Sequence, residues 1–499
     1  MNTVKLLIHN AKISPDKPAL IFKDNAVSFS QLKDNVFKLA QALKKKGVKR
    51  QDKAAIYLPN CPEYIYSYLA LFSLGTTVVP LDFMFKNEEL ISCLNHSETK
   101  FLISARKPDV SLEEIKKQVK SLENIILLGK DSGEFISFEE IMNNSESITP
   151  QNNFSETDDA LIMYTSGTSG NPKGVLLTYK HLSGSPDAMK YFVDLTEKDI
   201  KLSSLPLSHS GGLIYIQNCV CFNITLVLME RFSPLEFLKN IERYLVTCFH
   251  IVPSMYYAIL QLKEFERHDL SSLRWMVVFG APSSADVLAR FNQYCPNTHL
   301  LNGWGLTETC PPNTVIPLES YNIASVGKPA PWVEIAIINE EGEPVAPGEI
   351  GEIAIKSCVV MKGYYKNPQE TNRVIKNGWF YTGDLGRFDE ERFLYIVGRK
   401  KEMIKVSGQL VYAPEVEAAL HKHQDILETA VIGVPDNLRG ETIKAFVVKN
   451  KNSDLCESDL RVFCQEHLAH FKVPQKIEFL DSLPKNRTGK VDKEALKCK

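Results

Sequence analysis

The chain has 499 residues, 58 basic and 60 acidic side chains, a formal net charge of -2 and 44% apolar residues. That length exceeds what one hydrophobic core serves, so at least two domains are expected, and the balanced charge gives no electrostatic case for nucleic acid or an anionic membrane surface. The 11 cysteines are scattered with no C-x-x-C pair, which points to reduced thiols in a cytoplasmic protein and away from disulfides or zinc.

The opening segment from Met1 to His9 has no long apolar run or small-residue cleavage site, so no leader is expected. Ala19 to Phe22 and Ala26 to Phe29 flank Lys23-Asp24-Asn25 and read as a hairpin. Ser30 reads as the cap of a helix that runs to about Lys46. Lys53 to Leu58 is a strand, Pro62 to Leu74 a helix that stops at Gly75, and Thr77 to Leu81 a second strand. This βαβ rhythm implies a parallel sheet covered by helices. The apolar region from Ile65 to Leu81 is broken by Gly75 and ends at Pro80, short of the about 20 apolar residues that a membrane span needs. Glu88 to Asn95, Phe101 to Ile103 and Ile125 to Leu128 repeat the rhythm, and Gly129 to Thr157 reads as polar loop.

Next comes the apolar strand Ala160 to Met163 and the loop Tyr164-Thr-Ser-Gly-Thr-Ser-Gly-Asn-Pro-Lys-Gly-Val175. Its glycines let backbone N–H groups approach an anion, its Ser and Thr hydroxyls add donors, and Lys173 adds a point charge. Together these make a phosphate cradle, although the spacing is not that of a Walker loop. Alone, such a loop would read as a surface turn.

Further strands are expected at Lys201 to Leu207, Ile224 to Met229, Val246 to Val252, Trp275 to Phe279 and His299 to Asn302, with helices between them, giving a second parallel sheet. His209 follows the first of these, and a lone histidine at a strand end is more often structural. Gly280-Ala281-Pro282 turns at the end of the fourth, where open α/β sheets bind ligands. In Gly303-Trp304-Gly305-Leu306-Thr307-Glu308, Thr307 offers a donor to a phosphoryl oxygen and Glu308 a carboxylate for Mg²⁺. From Val326 the strands shorten into a β-rich module. It contains Thr382-Gly383-Asp384, whose carboxylate suits the hydroxyls of a ribose. Gly398-Arg-Lys-Lys-Glu402 is a charged break, and beyond it helices and strands alternate in a small α+β unit that ends in Pro484-Lys-Asn-Arg-Thr-Gly-Lys490.

In that order, from Tyr164 to Lys490, these motifs resemble the adenylate-forming superfamily, of the acyl-CoA synthetase or fatty-acid–CoA ligase type. The resemblance covers essentially the whole chain. It implies an α/β fold: a large N-terminal domain (1–397) of two parallel-sheet subdomains (1–155 and 156–325) and a small β-rich module (326–397), then a hinge (398–401) and a small mobile C-terminal α+β domain (402–499). It implies ATP, Mg²⁺ and CoA as cosubstrates. ATP and AMP would be bound by Thr165, Ser166, Gly167, Thr168, Ser169, Gly170, Lys173, Gly280, Ala281, Pro282, Gly303, Trp304, Gly305, Thr307, Asp384 and Arg399. Lys490, Thr307, Glu308 and His209 would be catalytic, with Glu308 on the metal. His209, Leu213 and Trp304 would line the acyl pocket, Lys401 would be the pivot, and Lys405, Ser407, Gly408 and Gln409 would face the path of CoA. Two departures stand out. Phe279 occupies the place of a usual glycine, which alters the adenine contacts. Trp304 occupies the place of a usual Tyr, and either stacks on adenine or narrows the acyl pocket.

The expected substrate is a medium- or long-chain fatty acid, with an aryl or dicarboxylic acid as runner-up. A dicarboxylate would need a cation in the acyl pocket, and none is evident near Leu213. An acyl-AMP ligase that loads a carrier protein, and a nucleotide sensor without catalysis, are further alternatives. The first would carry an insertion before Gly398 and the second would lose Lys490. Homodimerisation and peripheral membrane contact are left open.

Overall fold

The computed structural model describes residues 2–129, 132–151, 154–165, 173–262, 265–280, 285–320, 322–407, 409–436, 438–450, 453–485 and 490–497. Two sheets of eight and nine strands form its centre. In the first, Asn124–Leu128, Phe101–Ala105, Lys53–Tyr57, Thr77–Pro80 and Asp159–Thr165 run parallel in that spatial order. In the second, Pro18–Phe22, Thr225–Leu228, Ile200–Ser203, Cys248–Ile251, Trp275–Val278 and His299–Trp304 do the same. Their all-buried strand patterns are what parallel sheets covered on both faces require.

The sheets exchange chain. The hairpin Pro18–Phe22 and Asn25–Ser28 joins the second sheet beside Thr225–Leu228, although it lies within the first 155 residues. Conversely, Asp159–Thr165 completes the first sheet. The subdomain limits expected from rhythm alone therefore do not follow the sheets, because strand order in space cannot be read from strand order in sequence. Two smaller differences are local. The first long helix, Phe29–Lys45, is capped by Ser28 and not Ser30. A capping box fixes it there: Ser28 accepts from the Gln31 backbone N–H, and the Gln31 side chain returns to the Ser28 N–H. The stretch expected to be loop holds a helix, Phe138–Asn143, capped by Ser137.

A five-stranded antiparallel sheet follows, built on Val333–Ile338, Gly351–Ser357, Trp379–Phe388 and Leu394–Arg399. The last strand ends at Arg399, and the short turn Lys400–Glu402 leads into the C-terminal sheet. That sheet has its own apolar core around Val411, Val416, Val431, Ala445 and Leu460, separate from the main core. The charged break thus lies between two hydrophobic interiors, as expected of a domain boundary. Among the described residues, no helix is long and apolar enough to cross a membrane.

The helix Ser210–Phe222 packs between the sheets, and its first turn sets the position of His209. A Cβ on Gly212 would come within 2.0 Å of the Pro206 carbonyl oxygen, so only glycine lets this helix start so close to the preceding strand. Gly212→Ala is expected to lower the thermal unfolding midpoint and ATP-dependent turnover together. An unchanged midpoint by calorimetry would show that the close approach is not needed.

Candidate active site

The cradle loop joins two antiparallel strands, Asp159–Thr165 and Lys173–Thr178, with Thr165 opposite Lys173. Ser166 to Pro172, and with them Ser166, Gly167, Thr168, Ser169 and Gly170, lie outside the described residues. The Lys173 ammonium forms an ion pair with Glu370 and sits 5.2 Å from the centre of the Tyr364 ring. Tyr364 in turn donates from its hydroxyl to Glu308 Oε1 at 2.9 Å. One aromatic ring therefore holds the cradle lysine and the candidate metal carboxylate on opposite sides of a common space. Burial pushes the Tyr364 phenol up from its usual range, with Glu308 adding to the effect, so it remains a donor. Hydrogen bonds from Arg373, reinforced by Lys173, hold the Glu370 carboxyl down at about 2. Sequence reasoning missed Tyr364, Glu370 and Arg373. Their only signal was the Tyr364-Tyr365 pair at the end of a strand two residues long, Gly363–Tyr364, whose pairing with Lys173–Thr178 spans almost two hundred positions.

The second half of the site is built around Asp384, which is only 4% exposed. The Trp304 indole N–H donates to its Oδ2 at 2.9 Å, and the Arg399 guanidinium lies 2.8 Å from its Oδ1. The pairing of strands Trp379–Phe388 and Leu394–Arg399 puts Arg399 directly opposite Asp384. The edge of the Trp304 ring therefore serves the Asp384 carboxylate, a contact that its place in the sequence did not reveal. Desolvation pushes the Asp384 carboxyl up, while Arg399, Trp304 and Lys490 pull it back down. Among the described residues, Asp384 Oδ1 makes no aligned hydrogen bond. That oxygen is held by the Arg399 charge and keeps lone-pair capacity that suits the hydroxyl donors of a ribose.

Lys490 completes this cluster from the far end of the chain. A Cβ on Gly280 would lie 3.2 Å from Lys490 Cε and 3.9 Å from its Nζ. Gly280 also has φ +92°, a conformation that glycine alone adopts readily. As a residue Lys490 keeps solvent contact, but its ammonium end enters the cleft. Desolvation there lowers its pKa, Arg399 lowers it further, and Asp384 and Glu402 oppose both. Ala281 and Pro282 lie outside the described residues. Gly303 and Gly305 are both tightly covered, Gly303 by the Phe279 ring and Gly305 by Asn313 and Pro311.

His209 caps the helix Ser210–Phe222, and its Nε2 is 2.9 Å from Asp82 Oδ2. Asp82 follows the strand Thr77–Pro80 of the other sheet and also accepts from the Met84 N–H, so the ring is oriented between the sheets. Leu213 and Thr307 line a cavity of about 30 Å³ with Met163, Leu177, Ile214 and Cys310, room for roughly one water. Lys401, Lys405, Ser407 and Gln409 are exposed. Gly408 lies outside the described residues. Among the described residues, no three His, Cys, Asp or Glu side chains gather to hold a metal. Glu308 alone suits Mg²⁺ that arrives on a nucleotide and keeps phosphate oxygens and waters as its other ligands.

Two largely parallel sheets, a β-rich module and a separate C-terminal unit are the fold of the adenylate-forming enzymes. Residues 7–365 match the family described as AMP-binding enzyme, and residues 415–490 match AMP-binding enzyme C-terminal domain; the chain belongs to this family, among the ligases that join acids to thiols. It is 33% identical to the long-chain-fatty-acid–CoA ligase of Bacillus subtilis (strain 168), over 97% of this chain and 92% of that enzyme. It is 34% identical to the 2-succinylbenzoate–CoA ligase of Bacillus licheniformis, over 98% of each chain. Among solved structures it resembles the anthranilate CoA ligase AuaEII in complex with anthranoyl-AMP, with a TM-score of 0.93, 27% identity and coverage of 100% of this chain and 97% of that one.

Two outcomes test the Asp384 cluster. Trp304→Phe keeps a ring but removes the donor, and is expected to raise the KM for ATP about tenfold, the equivalent of ~1.4 kcal/mol, with little change in kcat. The second concerns pH. Lys490 has a lowered pKa, so adenylation should decline on the alkaline side before an ordinary lysine would lose its proton. Lys490→Arg should move that limb upward; an unmoved limb would assign it to another group.

Proposed function

We propose that this chain converts a carboxylic acid, ATP and CoA into an acyl-CoA, AMP and pyrophosphate in two half-reactions. In the first, a carboxylate oxygen bonds to the α-phosphorus and the bond to the β-phosphate side breaks, releasing pyrophosphate. Lys173 guides the β- and γ-phosphates, and Thr307 and Glu308 meet the phosphates and their Mg²⁺. Asp384 and Arg399 hold the ribose, and Lys490 stabilises charge between the carboxylate and the α-phosphate. A cation fixed in advance at such a point lowers the barrier because it needs no reorganisation. In the second, the small domain turns about Lys401, Lys490 withdraws, and the thiol sulfur of CoA attacks the acyl carbon. AMP leaves with its bonding electron pair, and the thiol proton passes to solvent. Lys405, Ser407, Gly408 and Gln409 then face the thiol arm. The observation that carries this reading is the meeting of Lys490 with Gly280, Asp384 and Arg399.

The acid is the finer question. A medium- or long-chain fatty acid has the support of the Bacillus subtilis relative, and an aryl acid that of the succinylbenzoate and anthranilate ligases. A Cβ on Gly303 would lie 2.1 Å from Phe279 Cε1, so the Phe279 ring lies directly against the backbone of the Gly303 turn. Carrier-protein loading and nucleotide sensing remain weaker readings, because Lys490 is retained and no insertion precedes Gly398.

The test separates the half-reactions. Lys490→Ala should abolish pyrophosphate release with every acid yet leave thioester formation from supplied acyl-adenylate and CoA within about threefold of normal. Equal loss of both would contradict a cation that serves only the first step.

A further inference from the structure

Next to the reaction centre lies a set of polar side chains that neither half-reaction uses. Lys201 sits in the strand Ile200–Ser203 and is fully buried. Its ammonium lies 5.1 Å from the centre of the Tyr215 ring and 5.2 Å from that of Trp275. Its nearest polar neighbour is His250 Nε2 at 3.4 Å, and that nitrogen is also 3.3 Å from Met189 Sδ. Lysine normally enters a core only with a carboxylate. Asp199, two residues away, is occupied by Arg274 at 2.6 Å and by Thr247 and Thr196. Cys248, on the adjoining strand, stays a neutral thiol, pushed up to about 12 by burial.

The unfilled valences in this group are donors. An ammonium only donates, so His250 Nε2 accepts from Lys201 and the imidazole proton sits on Nδ1. Burial holds His250 well below its ordinary pKa and therefore neutral. Among the described residues, His250 Nδ1, Trp275 Nε1 and Ser203 Oγ are buried without a hydrogen-bond partner. Strand alternation puts Ser203 on the same side of the sheet as Lys201. Unfilled buried donors are costly, and a group of them around one cation calls for an acceptor, preferably an anion.

The way to that group starts at the reacting carbon. Gly280 touches Lys490, and the preceding residue, Phe279, lies edge-on to the His250 ring at 5.2 Å. Phe279 is only partly buried and packs on the edge of the main core, so it borders the open site. It is the partition between the carboxylate that reacts and the donors beyond. This supplies the cation that was not evident near Leu213: Tyr215, which covers Lys201, is two residues further along the same helix.

The geometry points to a subsite for a distal oxygen, in which Phe279 gives way to the body of the acid and Lys201, His250 and Trp275 receive a carboxylate or phenolic oxygen at its far end. The substrate is then a bifunctional acid and not a plain alkanoate; this rests on the ligase reading above. The test is pyrophosphate release by the full-length enzyme with acids matched in length: heptanoate against heptanedioate, and cinnamate against 4-hydroxycinnamate. The two pairs separate a carboxylate from a phenol. The oxygen-bearing member of at least one pair should have a kcat/KM at least about tenfold higher. Lys201→Met, of similar length and apolar, should erase that preference mainly through KM and leave the plain acid unchanged or improved. Trp275→Phe deletes one N–H only and should erode the same preference by about threefold, a check that holds if the lysine variant folds poorly. A wild-type preference for the plain acids, or equal losses on both members of a pair in the variants, would overturn the subsite and leave the ligase intact. No turnover with any acid would instead overturn the ligase reading, and the subsite with it.

Discussion

A carboxylate held out of water has to be surrounded by donors, and the centre of this molecule is arranged to supply them to Asp384. One donor comes from the end of a parallel strand, as the Trp304 indole. Another comes from the antiparallel partner strand, as Arg399. A third group and second cation, Lys490, arrives from beyond the charged break. Remove any one and desolvation, already the largest influence on Asp384, pushes the carboxyl further towards its neutral form. A neutral acid is a poor acceptor for two ribose hydroxyls. The second sheet, the β-rich module and the tail are therefore tied together by one charge balance, and the nucleotide site exists only where all three meet.

The same arrangement lies beside the place where the two apolar cores part and where we propose the hinge. Arg399 is the last residue of its strand and is held in register opposite Asp384, whereas Lys401 stands exposed in the turn that follows. Each side of that turn has its own apolar core. A rotation there breaks no hydrophobic interior; it costs the contacts of Lys490 with the cleft, the stacking of Tyr257 on His421 and the packing of Pro414 near Gly398. The Lys490 contacts join a desolvated ammonium to groups of both signs, which is a modest attraction, and a modest attraction suits a part that must leave after one step.

Much of this was legible in the sequence because it was local. Period and punctuation gave most strands and helices, and the cradle, Asp384 and Lys490 stood in runs whose residue types carry a chemical meaning alone. What stayed hidden was what the fold brings together over long separations. The Tyr364 contact with Lys173 and Glu308, the Asp82 contact with His209 and the exchange of the Pro18–Phe22 hairpin into the second sheet all depend on strand order in space. Lys201 was hidden for another reason. In the sequence it reads as the polar start of a strand, and only the packing of Tyr215, His250 and Trp275 around it makes it a buried cation. Trp304 shows the limit of reading by substitution: a larger ring suggested stacking or steric narrowing, and the fold adds a bond from its N–H to Asp384 that no local pattern announced.

The central claim is that the C-terminal domain occupies two positions in one catalytic cycle, with Lys490 in the cleft in the first and absent in the second. The most direct measurement is a spin-label distance between Tyr191 on the large domain, 57% exposed, and Leu438 on the small one, 96% exposed. It should be recorded with MgATP bound and again with a non-hydrolysable acyl-adenylate and CoA. The account predicts two distinct distance distributions that interchange with the ligand. A single distribution, identical in both states, would contradict it.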